Sequence, residues 1–153
     1  MATIEALALI TNQGKARIAE MLATGKSFVV DTFVIGANGH DSVDPTLAIT
    51  PDPGRTGCYC GTEAITVADG CALVDTIDAV SFASASCPVF TASVEPGEAT
   101  GAVSSVCLLG TVVYSPTPGD PEIGLKFLFA IANFPVKYKT PVDRFLYEIF
   151  VQL

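Results

Sequence analysis

Five cysteines, one histidine and a few closely spaced carboxylates are the residues of this chain whose types carry chemistry. The cysteines are Cys58, Cys60, Cys71, Cys87 and Cys107. An odd number leaves at least one thiol free or bonded to another chain. Cys58-Tyr59-Cys60 lies between Gly57 and Gly61, so it lacks both the two-residue spacing and the helix start that lower a thiol pKa in redox pairs. A structural zinc site calls for two such hooks or for Cys and His pairs, and the single His40 stands far upstream. No metal and no cofactor is therefore expected. In a strand Cys58 and Cys60 share a face, so either can meet Cys71, Cys87 or Cys107 on a neighbouring strand. All five are candidate disulfide cysteines with the pairing open. Buried reduced thiols are the ordinary alternative in a protein made in a cytosol.

No catalytic residue is expected either. Gly39-His40-Asp41-Ser42 places an imidazole, a carboxylate and a hydroxyl in a row, but adjacent residues cannot converge with the geometry of a triad. Asp75 and Asp78 flank two residues and Glu95 and Glu98 a proline turn, and neither pair has metal-loop spacing. Gly36-Ala-Asn-Gly39 follows a strand but leads into a proline-rich stretch instead of a helix, so it is no phosphate cradle. A small thiol-dependent enzyme using Cys58 or Cys60 rests on the C-x-C alone.

The elements that must position these residues fit one domain spanning 1–153, long enough to bury about two thirds of its unfolded surface. Hydrophobic residues make up 50% and charged residues 16% of the chain, against a usual charged share of roughly 25%. No window approaches the ~20 apolar residues of a membrane-spanning helix, and Met1-Ala-Thr-Ile-Glu5 has no basic region, so no cleaved signal is expected. The apolar excess suits a protein interface or a tightly packed β protein. Net charge is −8, which disfavours nucleic acid as a partner. Lys137, Lys139 and Arg144, gathered about Asp143, read as a solvated edge.

Thr11 or Asn12 caps a helix over about 12–24, in which Ala16, Ile18, Ala19, Met21 and Leu22 recur at helical spacing and Gly25 supplies the stop. Ile4–Ile10 suits a strand or a helical turn equally. Phe28–Ile35 is a β-branched, aromatic strand ending at Gly36. The stretch of about 36–61, with Pro45, Pro51 and Pro53, is a long exposed loop, and binding is its candidate role. The remainder is β-rich: Ala72–Ile77, Ala79–Phe82, Cys87–Val94, Val103–Tyr114, Leu125–Ala132 and Arg144–Leu153, with Ser115–Pro121 as a proline-rich turn. In the last strand Phe145, Tyr147 and Ile149 share one face, expected to be core. Leu146 and Phe150 lie on the other and are the candidate interface, to be covered by a neighbouring subunit or by the helix around Ile18 and Leu22. The fold expected is α+β, one N-terminal helix packed on a mainly antiparallel β-sheet or sandwich.

Leu9-Ile-Thr-Asn-Gln-Gly-Lys-Ala-Arg-Ile-Ala-Glu20 resembles the opening helix, T-x-x-G-x-x-x-[IL]-A, of the tail-collar fibre family of contractile-tailed bacteriophages. Val34-Ile35-Gly36 is similar to that family's next strand and Gly-rich loop. Leu128-Phe-Ala-Ile-Ala-Asn-Phe-Pro135, Lys139 and the last strand resemble its closing β-hairpin. Leu108-Leu-Gly110 stands where the family often has Glu-Leu-Gly, without the acidic residue, and Gly36–Cys107 matches none of its pattern. The resemblance covers about half of the chain and implies an N-terminal fibre domain that anchors a fibre to the baseplate, usually as an oligomer. It departs from the family at Leu153, where a fibre would continue into a shaft. The function it implies is a virion structural protein, a tail-fibre, baseplate or collar adaptor, made in the bacterial host cytoplasm. Its partners would be other virion proteins and copies of itself. A capsid decoration protein is the alternative.

Overall fold

Residues Ala2–Ile10 alternate strictly, with Ile4, Ala6, Ala8 and Ile10 buried and Thr3, Glu5, Leu7 and Leu9 exposed. That period of two is a strand, β1, and not a helical turn. The computed structural model describes residues 2–153. After β1 come the helix α1 (Asn12–Thr24), β2 (Ser27–Gly36), the short β3 (Cys58–Tyr59) and β4 (Glu63–Ala64), and a 3₁₀ turn at Val67–Asp69. Then follow β5 (Leu73–Thr76), β6 (Ala79–Ser84), β7 (Cys87–Val94), β8 (Gly101–Tyr114), β9 (Lys126–Lys139) and β10 (Phe145–Val151). Among the described residues 51% are in strands, and one curled sheet runs β5-β2-β8-β9-β1-β10-β7-β6. Every pairing in it is antiparallel except β1 with β10. One helix on a mainly antiparallel sheet is thus present, but the chain is largely β and fits α+β only roughly.

β1 joins the two halves of this sheet. Ala2 to Ala8 pair in parallel with Phe145 to Val151 of β10, and Leu9 and Ile10 then pair antiparallel with Ile131 and Ala130 of β9. The closing hairpin expected from the tail-collar resemblance is therefore absent, because β1 lies between β9 and β10. Nor does β9 stop at Ala132. It continues to Lys139 through a bulge opposite Val103–Ser105, which accommodates Pro135 where a regular ladder would need its missing N–H.

At the end of β1, Thr11 turns the chain into α1. Its Oγ1 accepts the Gly14 N–H at 3.0 Å and donates to the Leu128 carbonyl at 2.7 Å, so one buried hydroxyl caps the helix and docks it on β9. A Cβ on Gly14 would lie 2.5 Å from the Phe129 carbonyl oxygen, which is how closely the first helical turn sits on that strand. Gly25, at φ +80°, ends the helix by donating to the Met21 carbonyl.

The sheet buries both faces at its centre. Phe33 and Ile35 of β2, Val106 and Leu108 of β8, and Phe145, Tyr147 and Ile149 of β10 join one cluster, against which Ile18 of α1 packs. The opposite face of β2, β8 and β9 is covered by the 58–71 segment, where Val34, Leu109, Leu128 and Ile131 meet Tyr59, Ala64 and four cysteines. Two features of the sequence reading change here. The end of the 36–61 loop is not exposed, since Cys58, Tyr59 and Cys60 are buried. Lys139 is not on a solvated edge: it is 3% exposed, with its ammonium donating to the Glu95 carbonyl at 2.8 Å.

A charged clamp ties α1 to the turn before β9. Arg17 donates to Glu122 at 2.7 Å and to Glu20 at 3.0 Å, and Lys26 reaches Asp120 at 2.9 Å and also Glu122. The Arg17 guanidinium, then the Lys26 ammonium, hold the Glu122 carboxyl at about 2. The Glu122 backbone N–H, the Ser115 hydroxyl and Lys26 hold Asp120 at about 2 as well. A carboxylate with a depressed folded pKa stabilises the fold above its unfolded pKa, about 4.3 for Glu, and loses that contribution as pH falls through the folded value. Thermal melts of the chain and of Glu122→Gln should therefore differ by a constant margin from pH 7 down to about 5, and the margin should close between about 4.3 and 2. A margin independent of pH over that range would contradict the clamp.

Candidate functional site

The side chains that could do chemistry are held apart or closed off. His40 Nδ1 lies 2.8 Å from the Ser104 hydroxyl, not the neighbouring Ser42. Ser104 is fully buried and also accepts the Gly39 N–H at 2.8 Å, so its oxygen cannot meet a substrate. Asp41 accepts the N–H groups of Asp44 and Val43, which lower its pKa, and so builds a turn instead of orienting the imidazole. Glu95 pairs with Arg144 at 2.9 Å, while Glu98 accepts the Glu95 N–H. Among the described residues no three His, Cys, Asp or Glu side chains gather closely enough to hold a metal.

Two of the five cysteines are bonded: Cys58 and Cys107 form a disulfide with Cα atoms 5.8 Å apart. This bond fastens the far end of the long loop to the middle of β8. Cys60, Cys71 and Cys87 carry buried thiols. The sequence placed Cys58 and Cys60 on a common face but could not say which distant strand either would meet.

The loop itself is held by its own polar groups. The Arg55 guanidinium lies 3.8 Å from the Tyr59 ring centroid and donates to the Gly57 and Cys58 carbonyls. Tyr59 Oη accepts the Asp52 N–H at 2.9 Å. Glu63 accepts the Thr56 and Gly57 N–H groups, and the first of these is the main cause of its lowered pKa. At the loop's start a Cβ on Gly36 would lie 2.3 Å from the Tyr59 carbonyl oxygen, so only glycine admits this approach. Val43, 91% exposed, and Leu47 stand out from the loop into solvent.

Among the described residues, two apolar surfaces stand uncovered. The first is the outer face of β1, β10 and β7. Phe145, Tyr147 and Ile149 are buried on the inner side, and Leu146, Glu148 and Phe150 lie half-buried on the outer one. The register sets Leu7, 71% exposed, beside Phe150, and Phe150 beside Val89. Glu5 and Glu148 face each other one pair along. The helix does not cover this face, because Ile18 packs into the cluster on the inner side.

The second surface is β6 with the groove beside it. β6 is the last strand of the sheet, and all its residues are exposed. Val80 and Phe82 pair with Phe90 and Pro88 of β7, hence point to the inner side of the sheet. Phe90 and Pro88 also line an apolar groove of about 430 Å³, completed by Ile10, Ile18, Met21, Phe28, Phe129 and Leu153. Phe82, 70% exposed, and Val80, 51% exposed, carry that apolar floor out to the sheet edge. The sequence reading named β6 as a strand and overlooked its position. The run Ala79–Val94 is free of charge, but so is Ala99–Gly119, which supplies the interior strand β8, so nothing local marks β6 as an edge.

Comparison with models of known protein families, with curated proteins and with solved structures gives no match to this chain. No helix among the described residues is long and apolar enough to cross a membrane.

The placement of Leu146 and Phe150 makes a direct prediction. A Leu146→Asp, Phe150→Asp double variant should keep a native circular dichroism spectrum, at a cost per site below the roughly 1.5–3 kcal/mol of a fully buried apolar side chain. An unfolded variant would show that this face belongs to the core.

Proposed function

We propose that the chain is a bacteriophage virion structural protein, a tail-fibre, baseplate or collar adaptor, that works by binding other proteins, and that its first partner is a second copy of itself. The observation that carries this reading is the edge strand. Strands at sheet edges present unpaired N–H and C=O groups, and stable monomers blunt them with charges, prolines or covering segments. β6 has none of these: Ala79-Val-Ser-Phe-Ala-Ser84 is uncharged, proline-free and exposed throughout. Such an edge recruits another strand.

Charge favours a second copy as the occupant. Each chain carries a net charge of −8, so two copies meet at least cost where charge is missing, and β6 is an uncharged edge strand exposed along its whole length, whereas the other edge strand, β5, carries Asp75. Antiparallel pairing about a two-fold axis at Ser81 would set Val80 of each copy against Phe82 of the other. Both side chains lie on the inner side, so the two apolar grooves would become continuous. The outer face is different, because its Glu5 and Glu148 would repel the same residues of another copy. It suits a different virion protein that brings a basic group to Leu7, Leu146 and Phe150. The tail-fibre, baseplate or collar placement rests on the resemblance of Thr11–Ala19 to the opening helix of tail-collar fibres.

Replacing Val80 and Phe82 by Lys should abolish self-association while leaving the fold intact. Losing the burial of two apolar side chains, at roughly 1.5–3 kcal/mol each, corresponds to a dissociation constant raised at least about a hundredfold. Sedimentation equilibrium measures this, and a wild-type chain that stays monomeric at tens of micromolar would overturn the self-pairing. Quantitative mass spectrometry of purified virions tests the placement. A copy number following tail symmetry supports the adaptor, one following the capsid lattice points to a decoration protein, and absence from the particle removes both.

A further inference from the structure

The thiols of Cys60 and Cys71 face each other inside the cluster beneath the 58–71 segment, with their sulfurs 2.9 Å apart. That is within about 1 Å of the length of a disulfide bond. We propose that Cys60 and Cys71 form a second disulfide, which bolts the base of the long loop in series with Cys58–Cys107. The backbone has already brought the two ends together. Thr62 Oγ1 donates to the Asp69 carbonyl at 2.8 Å, the Cys71 N–H reaches the Thr66 carbonyl, and Gly70, at φ +108°, closes the 3₁₀ turn that aims Cys71 back at Cys60. On the other side the Asn38 side chain donates to the Cys60 carbonyl at 2.8 Å, which fixes that residue against the start of the loop. Forming the bond needs closure of less than an ångström between sulfurs whose chains are held in place.

The bond forms by exchange with a small-molecule disulfide such as oxidised glutathione. One thiolate of the pair attacks a sulfur of the oxidant, giving a mixed disulfide and one released small thiol. The second thiolate then attacks the protein sulfur of that mixed disulfide, giving Cys60–Cys71 and a second released thiol. The chain loses two hydrogens and the oxidant gains them. Burial pushes the Cys60 thiol up to about 12, and Cys71 is raised as well, chiefly by burial. Thiolate is therefore scarce in the finished fold, so the exchange runs through brief openings of the 58–71 segment, and reclosure returns the two sulfurs to bonding range. The two bridges have different tasks: Cys58–Cys107 ties the loop's end to β8, and Cys60–Cys71 ties it to the entry of β5. Together they fix the platform from which Val43 and Leu47 project.

The test is a disulfide map of the full chain refolded in a redox buffer of oxidised and reduced glutathione, then alkylated in denaturant without reductant. Cys87 should be the one labelled cysteine, and Cys87→Ser should leave none. Chymotryptic cleavage after Tyr59, combined with cleavage after Glu63 by a glutamate-specific protease, puts Cys58, Cys60 and Cys71 on separate peptides, so the peptide carrying Cys60 should travel with that of Cys71 and the peptide carrying Cys58 with that of Cys107. Cys60→Ser should expose Cys71 to the label, and Cys71→Ser should expose Cys60. Label on Cys60 and Cys71 in the wild-type chain overturns the proposal, whether or not Cys58–Cys107 has closed. So does a crossed map joining Cys58 to Cys71 or Cys60 to Cys107.

Discussion

The pairing of β1 between β9 and β10 is the constraint on which the rest of the fold depends. Without it the sheet would separate into β5-β2-β8-β9 and β10-β7-β6, two open pieces with four edges in place of two. The seam is tightly specified because a slip of one residue would turn Ile4, Ala6, Ala8 and Ile10 out of the core and send Glu5 into it. Alanines at two of those four positions keep the inner side of the strand thin where the sheet curls. Tyr147 and Phe134, with ring centroids 5.7 Å apart, fill the space thus left across the seam.

From that seam the other elements follow in order. Thr11 comes directly after the last paired residue of β1, so the hydroxyl that caps α1 is also the one that fastens it to Leu128. The helix must then lie on the inner side, and Arg17 and Lys26 meet Asp120 and Glu122 because the turn before β9 passes its flank. Once α1 occupies the inner side of β9 and β2, the other face of the same strands needs separate cover. The 58–71 segment supplies it, which is why four cysteines of this chain lie in one cluster.

Local patterns in the sequence predicted local structure well. The helix at Asn12–Thr24 and the alternation of the last strand could be read because capping residues and a period of two are written within a few positions. Glu5-Ala6-Leu7-Ala8-Leu9 was ambiguous for a physical reason: its outer face carries Leu7 and Leu9, so both faces look apolar. That pattern belongs to a strand with an uncovered apolar face, and periodicity cannot tell it from a short buried helix. The parallel partnership of the first and last strands had no local signature at all, so a terminal hairpin was the natural but mistaken expectation. Lys139 misled for a similar reason, since only the tertiary fold puts the Glu95 carbonyl within its reach. The cysteine pairing was open because strand order decides which sulfurs meet.

The two uncovered surfaces differ in the chemistry they can accept. The outer face mixes Leu7, Leu146 and Phe150 with the carboxylates of Glu5 and Glu148, which lie on adjacent strands as direct register partners. Like charges so placed are mildly destabilising in isolation, and they exclude an identical face while admitting one that brings a cation. The β6 edge carries no charge and offers backbone groups, so it selects by strand geometry and not by charge. A chain of net charge −8 repels its copies almost everywhere. In the proposed pairing the neutral, apolar β6 edge is where two such copies meet with least repulsion, and the acidic outer face stays free for a different partner. Specificity on such a molecule comes as much from the contacts its charges forbid as from those its apolar residues favour.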